Sequence, residues 1–222
     1  MAKFKELNGI KVKQVGGGYF FFKRLGDFLT AFFALLLIGW FLIIMAIIVA
    51  IGSKGSPIYC DKRIGKGGKE ISVLKFRSMY KDANEHPEKY LSEEQMKQFQ
   101  EERKVDNDPR ITKVGKFIRK TSLDELPQLL NIFIGNMSLV GPRPITRVEL
   151  DSHFDETQQQ ILLSAKPGLT GHWQVSGRSD LDFQSGERQK LELQYFEIRG
   201  LGTDIKILFK TIPAVLKHKG AK

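Results

Sequence analysis

Residues 28–51 carry no charge, and Thr30 is the one clearly polar side chain among them. A run of that length suffices for a membrane helix and exceeds the roughly 7–15 apolar residues of a secretion-signal core. Cations bracket it: Lys3, Lys5, Lys11, Lys13, Lys23 and Arg24 before, and Lys54, Lys62, Arg63, Lys66 and Lys69 after. Lysine and arginine are retained on the cytoplasmic side, so both flanks predict a cytoplasmic location. A helix with both ends on one side must bend back, and Gly39 is where it could relax. A spanning helix with a cytoplasmic body is the competing geometry.

Before the apolar run, Met1–Lys13 is short, polar and basic, Gly16–Gly18 reads as a flexible join, and Tyr19–Arg24 is an aromatic and cationic segment suited to a bilayer interface. After it, two strand-like runs flank Gly65–Lys69, a hairpin pattern. Period two sets Lys75 and Arg77 on one face of the second strand and Leu74 and Phe76 on the other; a solvated strand edge is the plain alternative for the cations. Ser92 and Gln95 predict a capping box at the start of a charged surface helix through Lys104, with Leu91 and Met96 as its staple. Leu126, Leu129, Leu130 and Phe133 follow a helical stripe that Gly135 should stop. A last amphipathic helix, Asp204–Leu216, carries Ile205, Leu208, Phe209, Ile212, Val215 and Leu216 on one face and Lys206, Lys210 and Lys217 on the other. Pro213 should kink it, and it reads as a membrane-surface helix, with docking on the core as the alternative.

These elements predict an α+β chain: a largely helical domain with a small β-hairpin and one N-terminal membrane helix. The division is a basic and aromatic juxtamembrane segment at 1–27, the membrane helix at 28–51 and a cytoplasmic domain at 52–222. The length, 222 residues with 41% hydrophobic content, suits one core plus the membrane element. A net charge of +10 calls for an anionic partner: nucleic acid, acidic lipid or a phosphorylated substrate. The single Cys60 excludes an internal disulfide framework and reads as a small packing residue.

The stretch with chemistry in it is Arg119–Asn131. Pro127 belongs in a first helical turn, which sets Asp124 and Glu125 at the positive end of the helix dipole, where a carboxylate stays ionised as a nucleophile or metal ligand must. Asp124, Gln128 and Asn131 then share the polar face. The plain alternative is a capping box from Ser122 to Glu125, with Asp124 merely favouring the dipole. Arg119, and Arg143 held between Pro142 and Pro144, add the rigid cations that suit phosphate oxygens. In Lys166–Arg178, Pro167-Gly168 and Gly171 make tight loops that can turn backbone N–H groups to an anion, with Lys166 and Arg178 at the two ends. His172, beside Trp173, reads as a packed or surface residue.

The Arg119–Gln128 segment, Lys75-Phe76-Arg77-Ser78-Met79, Ser138–Pro144, Lys166–Gly171 and Trp173–Arg178, in that arrangement, resemble the bacterial sugar transferases, the monotopic phosphoglycosyl transferases. The resemblance runs from about residue 20 to the C-terminus. It implies transfer of a sugar-1-phosphate from a UDP-sugar to polyprenyl (undecaprenyl) phosphate, with UMP released and an aspartyl-phosphosugar intermediate on Asp124, as the first membrane step of exopolysaccharide or capsule synthesis. It implies Mg²⁺ on Glu125, phosphate binding by Arg119, Arg143, Lys75, Arg77 and Arg178, and support from Gln128 and Asn131. The partners implied are the lipid acceptor, the UDP-sugar and an anionic phospholipid surface at the bacterial inner membrane, and no nucleic acid. The chain departs from the family pattern at Gly39, where a Ser-Pro break is expected, and at Glu192–Tyr195 and Ile198, where an Asp-x-x-Tyr and an Asn are expected.

Two other classes compete. Asp106-Asn107-Asp108 and Asp180-Leu181-Asp182 echo the metal-binding Asp-x-Asp of nucleotide-fold glycosyltransferases, but a charged helix rather than an apolar strand precedes Asp106, which favours a turn into Pro109-Arg110. A membrane-tethered polyanion-binding module would use the net charge alone and would not need Asp124.

Overall fold

The computed structural model describes residues 3–102, 105, 107–176 and 186–216. In chain order the elements are β1 (Phe4–Leu7), β2 (Ile10–Lys13), α1 (Gly17–Ser53), β3 (Ile58–Ile64), β4 (Glu70–Phe76), α2 (Glu93–Glu102), α3 (Lys113–Lys120), α4 (Gln128–Ile134), β5 (Ser138–Val140), α5 (Arg147–His153), α6 (Glu156–Leu162), β6 (Gly168–Thr170), α7 (His172–Ser176), α8 (Glu187–Ile198) and α9 (Leu201–Leu216). The α+β expectation holds: helices predominate around three two-stranded sheets.

Helix α1 is longer than the apolar run. It starts at Gly17, so two of the three glycines expected to form a flexible join belong to the helix and Gly16 is its N-cap, and it passes unbroken through Gly39. The reason is that its early charges find partners. Lys23 Nζ lies 2.8 Å from Asp204 Oδ2, and Arg24 donates to the carbonyl oxygens of Ile132 and Phe133 at 2.7 and 2.8 Å, closing the C-terminal end of α4. Asp27, 6% exposed, accepts from Ser138 Oγ and Leu139 N–H at 2.7 and 3.0 Å. Beyond these polar ties an apolar stripe docks on the body turn by turn. Ala31, Leu35 and Ile38 pack with Val73, Leu129, Ile132 and Met137; Met45 and Val49 pack with Phe76 and Ile118. The opposite side exposes Phe33, Leu36, Leu37, Trp40, Ile43 and Ile51.

The β3–β4 hairpin is antiparallel, with Asp61 opposite Val73 and Tyr59 opposite Lys75. The predicted capping box of α2 is present: Gln95 N–H donates to Ser92 Oγ and Ser92 N–H to Gln95 Oε1, both at 3.2 Å. Two sheets were not anticipated. β1 and β2 close around Asn8-Gly9, whose φ values of 46° and 80° are those of a tight hairpin turn, and Leu7, Ile10 and Val12 pack into the core of α5, α6 and α8. β5 and β6 pair in parallel, Ser138 opposite Gly168 and Val140 opposite Thr170.

Two helical stripes need correction. On α4 the buried positions are Leu129 and Ile132, whereas Leu130, assigned to the core by spacing, is 43% exposed. The helix starts two residues later than the stripe assumed, at Gln128, which rotates its face; Gly135 ends it with φ 93° as expected. On α9, Ile207 is buried and Leu208 packs on the core, while Ile205, Phe209 (70% exposed) and Ile212 face outward beside Lys206 and Lys210. The helix both docks and presents an apolar stripe.

Asn131, expected as a supporting residue on the polar face of α4, supports strand β4. It is buried, and its amide serves the free edge of β4, accepting from Leu74 N–H at 2.9 Å and donating to Ser72 C=O at 2.7 Å. Asn131→Leu keeps the volume and strands both backbone groups, so stability should fall by on the order of 2–4 kcal/mol, measured by urea unfolding of the detergent-solubilised protein. A loss below about 1 kcal/mol would show that water serves that edge equally well.

Candidate active site

Ser122 ends the α3 connection in a left-handed conformation, φ 56°, and Leu123–Glu125 form a short 3-10 turn that leads through Pro127 into α4. The capping box from Ser122 to Glu125 does not form, because Ser122 makes no side-chain cap. The two carboxylates therefore stay available. Asp124 is not kept at an ordinary carboxylate pKa, as the dipole argument expects: burial, and then the neighbouring Glu125 charge, push it up to about 6, against the pull of Lys75 and Arg119.

A small open cavity lies beside this turn, lined by Arg63, Lys75, Glu125, Gln128, Arg143 and Gln174 among others. Strand β4 supplies Lys75, and β3 supplies Arg63 two residues from Asp61. Asp61 Oδ2 lies 2.7 Å from Arg63 Nη2 and 3.2 Å from Lys75 Nζ, which ties the two cations together. Burial raises the Asp61 carboxyl, but those cations outweigh it and hold its pKa below the usual value. Glu149 Oε2 takes the other end of Arg63 at 3.2 Å. Arg119 is one shell back. Its Nε donates to Ser78 Oγ at 2.9 Å, its charge acts on Asp124, and burial lowers its pKa.

Arg143 enters from the turn after β5. Its backbone N–H points at the buried Glu192 carboxylate, 3.2 and 3.3 Å away, and its guanidinium lies 5.5 Å from the centre of the Trp173 ring. Arg188 lies over the same ring at 4.6 Å. The glycines of this region serve packing and do not cradle an anion. A Cβ on Gly141 would sit 2.4 Å from Lys166 O, and one on Gly168 2.2 Å from Gly141 N. The amides are already used: Gly141 N–H donates to Thr170 O at 2.9 Å and Gly168 N–H to Pro142 O at 2.8 Å.

The structure thus gathers Asp124, Glu125, Lys75, Gln128 and Arg143 at or beside one cavity, with Arg119 behind. It does not bring Arg77 there: Arg77 Nε donates to Ser56 O at 2.8 Å and its guanidinium lies 5.8 Å from the Tyr59 ring centre, because the chain has left β4 by that residue. Lys166 is not among the lining residues; burial and the charges of Arg24 and Lys66 lower its pKa against the pull of Asp27. His172 pairs with Gln194. Asp108 is locked in a bidentate pair with Arg110, Nη2 to Oδ2 2.7 Å, as the turn reading requires. Arg178, Asp106, Asp180 and Asp182 lie outside the described residues. Sequence reasoning passed over Arg63, Gln174 and Arg188. Arg63 had a signal, since it alternates with Asp61 on the strand facing Lys75.

No group of three or more His, Cys, Asp or Glu side chains gathers among the described residues. Adjacent carboxylates on Asp124 and Glu125 still fit a Mg²⁺ ion, which is commonly held by one or two carboxylates together with substrate phosphates and water.

Residues 18–218 match the family model described as bacterial sugar transferase. The chain is 43% identical over 203 residues to the UDP-galactose-lipid carrier transferase of Erwinia amylovora, covering 90% of this chain and 42% of that protein. It is 42% identical over 213 residues to the exopolysaccharide production protein ExoY of Rhizobium meliloti, covering 95% and 91%. It is 47% identical over 169 residues to the undecaprenyl-phosphate galactose phosphotransferase of Salmonella typhimurium, covering 75% and 35%. The chain thus spans less than half of the Erwinia and Salmonella proteins and nearly all of the Rhizobium one.

The raised pKa of Asp124 has a stability consequence. A carboxyl raised in the folded state costs nothing below its unfolded value, 3.8, and its penalty grows as pH rises through about 6. Asp124→Asn should therefore melt higher than the wild type at pH 7.5 by thermal scan, with the difference gone below pH 4. An equal Tm difference at both pH values would mean that Asp124 is not desolvated.

Proposed function

Because the chain belongs to the bacterial sugar transferase family, we propose that it moves a hexose-1-phosphate from a UDP-sugar to undecaprenyl phosphate through an aspartyl-phosphosugar intermediate, releasing UMP. The observation that carries the reading is the Asp124-Glu125 pair beside a cavity whose lining includes Arg63, Lys75 and Arg143. A carboxylate is a weak nucleophile in water, but here it is partly stripped of water while cations stand where a diphosphate would lie.

In the first half-reaction an Asp124 oxygen forms a bond to the sugar-bearing phosphorus and the P–O bond to UMP breaks, UMP leaving with the bridging oxygen. In the second, a phosphate oxygen of undecaprenyl phosphate attacks the same phosphorus and the Asp124 acyl-phosphate bond breaks, restoring the carboxylate. The sugar C1–O bond is untouched, and no side chain has to deliver a proton. Lys75, Arg63 and Arg143 orient the phosphates and offset their charge, and Arg119 acts on Asp124 from behind. Mg²⁺, held by Glu125 and within reach of Asp124, would supply further neutralisation of the diphosphate. Arg178 belongs to the proposed phosphate-binding set from its place in the motif.

The protein acts at a membrane, with α1 as its principal contact. Both ends of α1 touch the same body, Lys23 through Asp204 and Gly52 against Val114, where a Cβ would come 3.3 Å from Cγ2. That supports a helix whose two ends stay on the body's side, the cytoplasmic face of the inner membrane by the charge of its flanks. The outward stripe of α9, Ile205, Phe209 and Ile212 with Lys206 and Lys210, suits an anionic lipid surface.

The Erwinia and Salmonella relatives are named for galactose, so UDP-galactose is the first donor to assay. Enzyme mixed with the UDP-sugar alone should release UMP in a burst equal to the enzyme present and hold labelled sugar until undecaprenyl phosphate is added. Asp124→Asn should release none while keeping its fold. Glu125→Gln should lower turnover by roughly 10²-fold or more. Turnover in Asp124→Asn, or turnover by the wild type without trapped label, would mean that the lipid phosphate attacks directly. In the wild type kcat/KM for the UDP-sugar should rise with pH through about 6, as Asp124 loses its proton.

A further inference from the structure

Glu192, which reaches the cavity's edge through Arg143, has no role in the chemistry above. It is 4% exposed, lies on α8, and turns both carboxylate oxygens to the backbone N–H of Arg143, at 3.2 and 3.3 Å. That N–H belongs to a residue fixed between Pro142 and Pro144, neither of which has an N–H of its own, so Arg143 offers the one backbone donor in the three-residue turn. One turn earlier on α8, Arg188 lies over Trp173, and Arg143 approaches the same ring. Helix α8 therefore holds the turn at its backbone through Glu192, while the like charges of Arg143 and Arg188 share the Trp173 ring of α7.

We propose that Glu192 is a positioning residue for substrate binding: its buried carboxylate fixes the Arg143 backbone, and so aims the Arg143 guanidinium at the diphosphate of the bound nucleotide. The inference rests on the phosphate-binding role given to Arg143 above. A buried carboxylate is a costly choice for holding one amide, since an uncharged side chain could accept the same bond. The charge strengthens that bond when ionised and relaxes it when protonated. The charges facing Glu192 are those of Arg143 and, on its own helix, Arg188; behind Arg188 stand Glu149 of α5 and Arg63 of β3. Among the described residues no charge on α6, α7 or β2 acts on it. Burial pushes its pKa up to about 7 against the pull of Arg143 and Arg188, so the hold on the turn changes within the neutral range. The sign follows: nucleotide binding should tighten as pH rises through about 7.

The experiment is UDP binding by calorimetry to the detergent-solubilised full chain between pH 5.5 and 8.5, for wild type, Glu192→Gln and Glu192→Leu. UDP titrates as well, and the Gln variant, which keeps an acceptor but no charge, subtracts that contribution. The wild type should show an extra gain in affinity through pH 7 that Glu192→Gln lacks. At pH 8, Glu192→Leu, which strands the Arg143 N–H, should bind UDP about tenfold more weakly than Glu192→Gln. Identical pH profiles for wild type and Glu192→Gln overturn the proposal, even if Glu192→Leu fails to fold. So does equal UDP affinity in Glu192→Gln and a folded Glu192→Leu. Because binding is read without turnover, a wild type that shows the Glu192 effect but releases no UMP would sink the transfer reaction alone; UMP release with no Glu192 effect would sink this inference alone.

Discussion

One turn of the apolar helix α1 joins the membrane element to the reaction centre. Arg24 closes the carbonyl end of α4, and Asp27, one turn later, takes the amide and hydroxyl at the start of β5. Both are groups that a protein cannot leave unpaired away from water without losing about 1–3 kcal/mol each. The site depends on both elements, since α4 follows directly from the Asp124-Glu125 turn and β5 runs into the Pro142–Pro144 turn. Pulling α1 away would take a partner from four backbone or side-chain groups at once, which makes the helix an integral layer of the fold. The apolar contacts below, from Ala31 to Val49, then extend the docking along the helix.

The same constraint explains the chemistry of Asp124. Burial alone would favour the neutral acid and so disable Asp124 for the nucleophilic role proposed for it, while strong pairing with a cation would keep it ionised but poorly reactive. The structure lies between those limits. Lys75 pairs with Asp61, and Arg119 donates its Nε hydrogen bond to Ser78, so each acts on Asp124 as a field instead of a locked partner. A carboxyl near 6 is mostly ionised at neutral pH yet has lost part of its hydration. Glu125 contributes to the upward shift, which is the expense of keeping two carboxylates adjacent.

Much of this was legible along the chain where one residue type leaves little choice. An uncharged run such as 28–51 has few alternatives, the Gly65–Lys69 hairpin and the Ser92–Gln95 cap follow from local geometry, and five motif blocks marked the family. What was not legible came from pairing across distance. Leu130 and Asn131 were assigned by helical spacing, but the phase of α4 is set by the 3-10 turn before it, and the amide of Asn131 is claimed by a strand far away in sequence. Arg77 alternates correctly with Lys75 and still misses the cavity, because β4 ends at Phe76. The β1–β2 hairpin had its signal in Asn8-Gly9, a pair suited to positive φ at both positions, obscured by a short and basic context.

The glycines at 141 and 168 carry the argument one step further. Read alone they suggest a loop open to an anion, but their amides are spent on each other's strand and their missing side chains let two backbones touch. Close approach of that kind is rigid, since even a methyl group would force the strands apart. Rigidity there matters because Arg143 leaves β5 two residues after Gly141 and enters a turn with φ fixed on both sides by proline. A long cationic side chain loses much of its affinity to the entropy of being held still. Fixing its backbone by strand contact, proline and the Glu192 carboxylate meets that cost during folding, which suits the phosphate-binding role proposed for this arginine.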